Sequence, residues 1–480
     1  MAFSSVSADI FRAYDIRGVV DDPSKGLTEA TVRLIGKAIG TVALSQAQTD
    51  IVIGRDGRLS GERLSHALCQ GLLSTGIGVI DIGMVPTPLV YMGAHAACAS
   101  GVMLTGSHNP PNYNGLKIVI AGQTLSGEGI LDLYARICQG QFAIGQGQYE
   151  TKNIIPDYTQ AILNNIQKLN LKLNLKLKVV IDCGNGIAGK LAPALVEQLN
   201  CEVIPLFCEV DGNFPNHHPD PSRPENLQAL IQAVRHHKAD IGLAFDGDGD
   251  RLGVVTNQGE IIWPDRVLML YAQAILAKQP GAEIIYDVKC SSHLSDVIQK
   301  AGGIATMSQT GHSFMKAKMK SSGALLGGEM SGHFFFQDRW YGFDDAIYAA
   351  CRLLEILAES PVSASEVFAQ LPNAISTPEI NIALPDAQKF IFIEQLKKAL
   401  LLNRADTDAK LDINFKPIQM ITIDGLRIEW PTGWGLVRAS NTTPNLVLRF
   451  EAVTEAALFT IQSFFKQAME KIEPSLRFDF

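Results

Sequence analysis

The chain has 480 residues, enough for three to four domains at roughly 150 residues each. Hydrophobic residues make up 46% and charged residues 19%, which supports a packed interior and excludes a disordered chain. With 41 Lys and Arg against 49 Asp and Glu the formal charge is −8. That balance excludes a protein that coats nucleic acid. It leaves room for a small phosphorylated ligand, because a local basic cluster can sit inside an acidic molecule.

The segment Met1–Asp15 has neither a basic n-region nor an apolar h-region, so nothing marks it for secretion. No charge occurs between Ile82 and Leu116, yet Pro86, Pro88, His95, His108, Asn109, Pro110 and Pro111 interrupt that stretch. It reads as buried core and not as a membrane span. The 8 cysteines never form C-x-x-C and read as reduced thiols, so a cytoplasmic location is expected.

Along the chain the pattern is strand, helix, strand, repeated. Three β-branched runs look alike: Ile51–Asp56, Val179–Gly184 and Ile284–Lys289. Helix-compatible stretches follow them at Gly61–Thr75, Gly189–Asn200 and His293–Ala301. Apolar runs without alternation predict strands buried on both faces, hence mixed or parallel sheets with helices on either side. Shorter strands are expected at Gly101–Leu104, Ile118–Ile120 and Ile241–Phe245. The last part differs. A helix over Asp386–Asn403 precedes grouped strands at Ile418–Ile423, Leu426–Trp430, Leu436–Ala439 and Leu446–Glu451, then a helix over Thr454–Ile472. The fold class is therefore α/β: three related mixed α/β domains followed by an α+β C-terminal domain. Composition shifts and turns place the divisions at residues 1–150, 151–259, 260–370 and 371–480.

Four segments carry candidate chemistry. Thr105–Lys117 is a tight turn in which Gly106 and two prolines expose Ser107. A hydrolase elbow needs G-x-S-x-G, and Thr105 does not fit it. His108 adjoins Ser107, and neighbours in an extended turn point apart, so His108 is not expected to be its base. In Asp246–Arg251 three carboxylates alternate with glycine, which lets them converge. Convergent carboxylates repel, and a hard cation relieves that; open coordination positions suit Mg²⁺. Arg251 and Asn257 stand where a calcium-binding EF-hand needs Gly and Glu. In Gly327–His333, Glu329 and Ser331 offer an acceptor and a donor to vicinal sugar hydroxyls. In Arg438–Pro444, one Arg, three hydroxyls and one amide make an anion nest suited to phosphate. A competing signal is Gly184–Gly189, a G-x-G-x-x-G after a strand, as in dinucleotide-dependent oxidoreductases. The ribose-binding acid is poorly placed, since Glu202 precedes the next strand and Glu209 lies past it.

Taken together and in this order, the serine turn, D-G-D-G-D-R, G-E-M-S-G-H and R-A-S-N-T-T-P resemble the α-D-phosphohexomutase superfamily, and within it the bacterial phosphomannomutase/phosphoglucomutase branch. The likeness runs from Phe11 to Glu451 with one segment per expected domain, and it implies four domains around a central cleft. It implies an isomerase that interconverts hexose 1-phosphate and hexose 6-phosphate, of mannose or glucose, through a phosphoserine and a hexose 1,6-bisphosphate intermediate. Ser107 matches the phosphoryl carrier. Ser107, Asp246, Asp248 and Asp250 match the Mg²⁺ ligands. Arg17, Lys117 and Arg251 match catalytic basic groups, with Lys117 or a neighbour open as general base. Tyr14, Lys289, His312, Glu329, Ser331, His333, Arg438, Ser440, Asn441 and Thr442 match substrate-binding positions.

The resemblance further implies small sugar phosphates as partners, no nucleic acid or membrane, a monomer, and a fourth domain that moves. The stretch near Asp406 to Gln419 is longer than the family pattern leads one to expect. Phosphoglucosamine mutase is the rival within the superfamily. Its sugar loop usually has Gln where Met330 stands, and its phosphate loop differs from R-A-S-N-T-T-P.

Overall fold

The unbroken apolar runs become central strands because neither face is open to water. In the computed structural model, which describes residues 6–166, 176–402, 417–441, 443–478 and 480, these strands are Asp50–Arg55, Lys178–Asp182 and Glu283–Asp287. Each pairs in parallel on one side with the next strand along the chain: Gly78–Met84, Glu202–Leu206 and Ile304–Ser308. On the other side each pairs in parallel with a third strand: Gly101–Leu104, Ile241–Phe245 and Leu326–Gly328. A fourth strand then returns antiparallel: Tyr113–Ile120, Leu252–Thr256 and Phe334–Phe336. The same four-strand order therefore occurs three times, which bears out the expectation of three related mixed α/β units.

The repeat explains where the candidate chemistry sits. The serine turn, the aspartate loop and the Glu329–His333 segment each connect the third strand to the fourth. They are one topological position used three times, at the carboxyl end of a parallel strand, where ligands of α/β sheets gather.

Several boundaries differ from the sequence reading. The fourth strand of the first sheet begins at Tyr113, because Ile16–Val19 pairs along it, and this places Lys117 within a strand opposite Met103. The helix expected over Gly189–Asn200 is a 3₁₀ turn, Ile187–Lys190, followed by Ala192–Gln198, since Pro193 starts a new first turn. At the expected division near 259 the chain makes a hairpin. Gly259 turns the chain at φ 79° so that Ile261–Ile262 completes the second sheet. In the first sheet the edge strand Tyr149–Thr151 likewise runs just past 150. The long uncharged stretch is broken into the helix Thr87–Ala97 and the strand Gly101–Leu104. Among the described residues no helix is long and apolar enough to cross a membrane.

The fourth sheet is antiparallel in its pairings and is covered by the helices Asp386–Leu402 and Glu455–Ile472, so the last unit is α+β as expected. Most of the expected long stretch at Asp406–Gln419 lies outside the described residues.

The cores divide unevenly. One continuous cluster runs through Val52 and Met103, Ile181 and Phe245, and Ile284 and Phe334, which belong to the first, second and third sheets. The fourth unit has its own core around Ile428, Phe450 and Phe465. It meets the third unit at a largely polar contact. The wholly buried Arg427 donates to the carbonyls of Val288 and Cys290 at 2.7 Å each and lies 3.8 Å over the Trp434 ring. Trp434 Nε1 and Ser291 Oγ both donate to Glu451 at 2.9 Å.

Candidate active site

Ser107 closes the turn after the strand Gly101–Leu104 with φ 47°, a left-handed conformation held by its surroundings. Its N–H donates to Thr105 Oγ1 at 2.7 Å, and Thr105 Oγ1 donates to Asp56 at 2.7 Å. The turn is then gripped from below by Arg58. That buried guanidinium donates to the carbonyls of Ser107, Asn109, Pro110 and Tyr113 at 2.6–2.9 Å and pairs with Asp56 at 3.1 Å. Sequence reasoning passed over Arg58, although it follows the first central strand, where a charge needs a reason. Arg58→Lys keeps the charge and loses the planar fork that reaches four carbonyls at once. Stability is expected to fall by about 3 kcal/mol. Turnover should fall further than unfolding explains, measured well below the variant's melting temperature; unchanged kcat there would leave Arg58 a purely structural residue.

Ser107 itself is 2% exposed, and its hydroxyl donates to Asp246 Oδ2 at 3.0 Å. His108 Nδ1 lies 3.1 Å from the same Oγ. This corrects the expectation that the two side chains point apart, because the left-handed turn bends them together. Burial, with Arg251, Arg17 and Lys117 nearby, pushes His108 well below the usual imidazole range, so the ring is neutral.

The aspartate loop wraps one of its own carboxylates. Asp246 Oδ1 accepts N–H bonds from Gly249, Asp250 and Arg251 at 3.0–3.2 Å. Oxygens of Asp246, Asp248 and Asp250 lie within 4.8 Å of one another, all fully buried. Asp248 Oδ2 accepts from Thr87 Oγ1 at 2.5 Å and from Lys117 Nζ at 2.7 Å, while its Oδ1 has no hydrogen-bond partner among the described residues. Lys117 also bonds Asp250. Burial and the neighbouring Asp248 and Asp250 carboxylates push Asp246 well above the usual carboxylate range. Three crowded carboxylates, an unmatched buried oxygen and a serine hydroxyl form an all-oxygen donor set that fits a hard divalent cation. Burial disfavours the Lys117 ammonium, but Asp248 and Asp250 outweigh it and raise its pKa.

A chain of contacts leads on from the aspartates. His333 lies 3.3 Å from Asp250 through Nε2 and 3.3 Å from Glu329 through Nδ1, with Ser331 Oγ at 2.9 Å. Burial opposes its charge, yet Asp250 and Glu329 lift its pKa to about 9. His312 stacks on it at 5.9 Å, and burial, with Lys316, Lys117 and His333 beside it, pushes this second ring well below the usual range. Tyr14 meets His312 edge-on at 5.4 Å. Glu329 accepts from Gly311 N at 2.6 Å, and Thr310 N donates to Asp424, which pairs with Arg438 at 2.9 Å. Arg17 reaches into the serine turn, donating to Asn109 Oδ1 at 2.6 Å and to Asp15 at 2.5 Å. Lys289 pairs with Glu379 of the fourth unit at 2.6 Å.

The residues picked from the sequence are thus joined along one path from Ser107 to Arg438. Ser440 accepts from Thr443 at 3.1 Å, and Asn441 follows it in the same loop; Thr442 lies outside the described residues. Sequence reasoning missed Asn109 within the serine turn, and Thr87, Glu379, Asp424 and Asp344, which accepts from Lys316 at 2.9 Å, each brought in from a distant segment.

The dinucleotide signal dissolves in the structure. A Cβ at Gly186 would come within 2.9 Å of Gly247 Cα, and one at Gly189 within 2.0 Å of the Cys208 carbonyl. These glycines let the protein's own backbones approach each other.

Comparison with known proteins agrees with this geometry. Residues 8–143, 156–259 and 263–375 match alpha/beta/alpha domains I, II and III of phosphoglucomutase/phosphomannomutase, and residues 379–468 match its C-terminal domain. A phosphomannomutase/phosphoglucomutase of Pseudomonas putida is 54% identical over 98% of this chain and 97% of its own length. A phosphoglucomutase of Neisseria meningitidis is 50% identical, covering 97% of this chain and 98% of the relative. The crystal structure of a phosphoglucomutase/phosphomannomutase family protein from Burkholderia thailandensis superposes with a TM-score of 0.89 at 46% identity, covering 99% of this chain and 100% of that one. With every domain matched and relatives this similar over nearly their whole length, the chain belongs to the phosphoglucomutase/phosphomannomutase family.

Proposed function

We propose that this protein is a hexose-phosphate mutase that moves a phosphoryl group between the 1- and 6-positions of glucose and mannose phosphates. The observation that carries the reading is the pairing of a strained, buried serine hydroxyl with a convergent triple-aspartate loop, Ser107 Oγ being 3.0 Å from Asp246. Phosphoryl transfer asks mainly for in-line positioning and charge stabilisation, and this site offers both.

In this reading Ser107 carries the phosphoryl group at rest and passes it to the free sugar hydroxyl, giving a hexose 1,6-bisphosphate. The bisphosphate turns over, and the other phosphate returns to Ser107. Asp246, Asp248 and Asp250 would hold Mg²⁺, which makes the serine oxygen a better leaving group. Arg17, Lys117 and Arg251 surround the turn as cations that offset charge developing on the transferring group. Glu329 and Ser331 accept from and donate to sugar hydroxyls, with His333 setting their orientation. Lys289 and Tyr14 line the approach, with His312 behind Tyr14. Arg438, Ser440, Asn441 and Thr442 hold the phosphate that does not react. Either end of the sugar must present its phosphate there, so the nest recognises phosphate and largely ignores the ring.

We carry forward four domains with one segment each, a monomer acting on small molecules, and an opening movement of the fourth. The decisive assay compares mannose, glucose and glucosamine 1-phosphates side by side. Turnover of the first two is expected; conversion of glucosamine 1-phosphate alone would move the protein to the rival branch. Arg438→Ala should raise KM by about tenfold with a smaller change in kcat, since it removes a charge-assisted contact of about 1.5 kcal/mol. An unchanged KM would count against the phosphate nest.

A further inference from the structure

Cys183 follows the strand Lys178–Asp182, and Cys208 follows its neighbour Glu202–Leu206, so the parallel pairing brings the two sulfurs to 3.5 Å. Both are free thiols. Cys183 is fully buried, whereas Cys208 is half-buried and is the one a solute can reach. Cys208 Sγ also lies 3.4 Å from the Ile181 and Leu206 carbonyls, which hold it beside Cys183. A reachable thiol whose sulfur lies 3.5 Å from that of a buried partner is the arrangement of an attacking and a resolving cysteine.

Each thiol is tied to one half of the site. Cys183 opens the turn to Gly186, which packs on Gly247 so closely that a Cβ would lie 2.9 Å from Gly247 Cα and 3.0 Å from the Asp246 carbonyl. Ile187 N then donates to the Gly247 carbonyl at 3.1 Å. Cys208 opens the segment to Phe214. Val210 in that segment fills the space a Cβ on Gly57 would need, at 2.2 Å, and the Phe214 ring faces the Arg58 guanidinium at 5.2 Å. One cysteine therefore leans on the aspartate loop, the other on the arginine that grips the serine turn.

We propose that Cys183 and Cys208 are a reversible disulfide switch that shuts the site when hydrogen peroxide is present. Cys208 attacks the peroxide oxygen, the O–O bond breaks, and a sulfenic acid and one water form. The Cys183 thiol attacks that sulfur, its S–H proton leaves with the hydroxyl as a second water, and the S–S bond forms. The two thiols lose two electrons and the peroxide gains them. Closing 3.5 Å to the length of a disulfide, about 2.05 Å, draws the sulfurs together by about 1.5 Å. Whichever backbone yields pulls either the aspartate loop or the Arg58 support, and a misplacement of about 1 Å at reacting groups lowers turnover by about 100-fold.

The loss of turnover rests on the mutase reading; the bond does not. The full chain is treated with hydrogen peroxide, its disulfide-linked peptides are mapped by mass spectrometry, and glucose 1-phosphate turnover is assayed. A Cys183–Cys208 peptide is expected together with turnover reduced by about 100-fold, both reversed by dithiothreitol. Cys208→Ser should start at parental activity and keep it under the same treatment, with Cys183→Ser as the second variant. Failure of the linked peptide to form while exposed Cys138 is oxidised overturns the proposal. So does a linked protein with full turnover, or a Cys208→Ser variant inactivated like the parent. Peptide mapping needs no substrate, so absence of mutase activity in the reduced protein would be distinguished from absence of the bond.

Discussion

Ser107→Ala is expected to lower turnover of glucose 1-phosphate and mannose 1-phosphate by about 10⁴-fold or more while the fold persists. The hydroxyl is a small part of what holds the turn. Arg58 and Asp56 bind its backbone and Thr105, and these bonds do not involve the Ser107 side chain. Alanine accepts φ 47° no worse than serine does, so circular dichroism and melting temperature should change little. What the variant loses is the oxygen that would accept and return the phosphoryl group. Supplying hexose 1,6-bisphosphate should not restore it, because no carrier remains to be phosphorylated. Residual turnover within about tenfold of the parent would remove Ser107 from the reaction path.

Removing the divalent cation should be nearly as severe. Chelation with EDTA is expected to abolish turnover, and added Mg²⁺ to restore it. Asp246→Asn isolates the cause. Asparagine Oδ1 can still accept the three N–H bonds that shape the loop, while its Nδ2 replaces the oxygen that faces Ser107 and the other aspartates. A fall of about 10³-fold or more in turnover is expected with the loop intact. A second readout needs no substrate. At about 100 times its dissociation constant, Mg²⁺ should stabilise the parent by about 2.7 kcal/mol and the variant by far less. The pH dependence has a definite sign. Crowding and burial raise the Asp246 pKa, so protons compete with the cation and Mg²⁺ binding weakens as pH falls. An EDTA-treated enzyme with full activity would exclude the aspartates as essential ligands.

What the sequence revealed, and what it hid, follows from the range of the interactions. The central strands were legible because a run such as Ile51–Ile53 has no polar face to expose. The aspartate loop was legible because three carboxylates alternating with glycine stand together in one short run. Arg58 was not, because what it grips lies some 50 residues away in the chain, and lone arginines are usually surface charges. Thr87 is hidden for the same reason, since it touches Asp248 across two domains. His108 was misplaced because an extended turn was assumed where Ser107 is left-handed.

The uneven sharing of cores has a mechanical consequence. Three sheets share one interior, although the first also has a core of its own around Ile39, Ile53 and Leu116, so the serine turn and the aspartate loop sit on joined packing. The Arg438 loop rides on a separately cored piece, which meets the third unit and, through Arg12 and Asp386 at 3.8 Å, the first. At the seam with the third unit the grip is a handful of directional bonds, from Arg427 to the Val288 and Cys290 carbonyls and from Ser291 to Glu451, around a small apolar patch. Bonds of that kind let go and re-form at the same few atoms, as the proposed opening of the fourth unit would require.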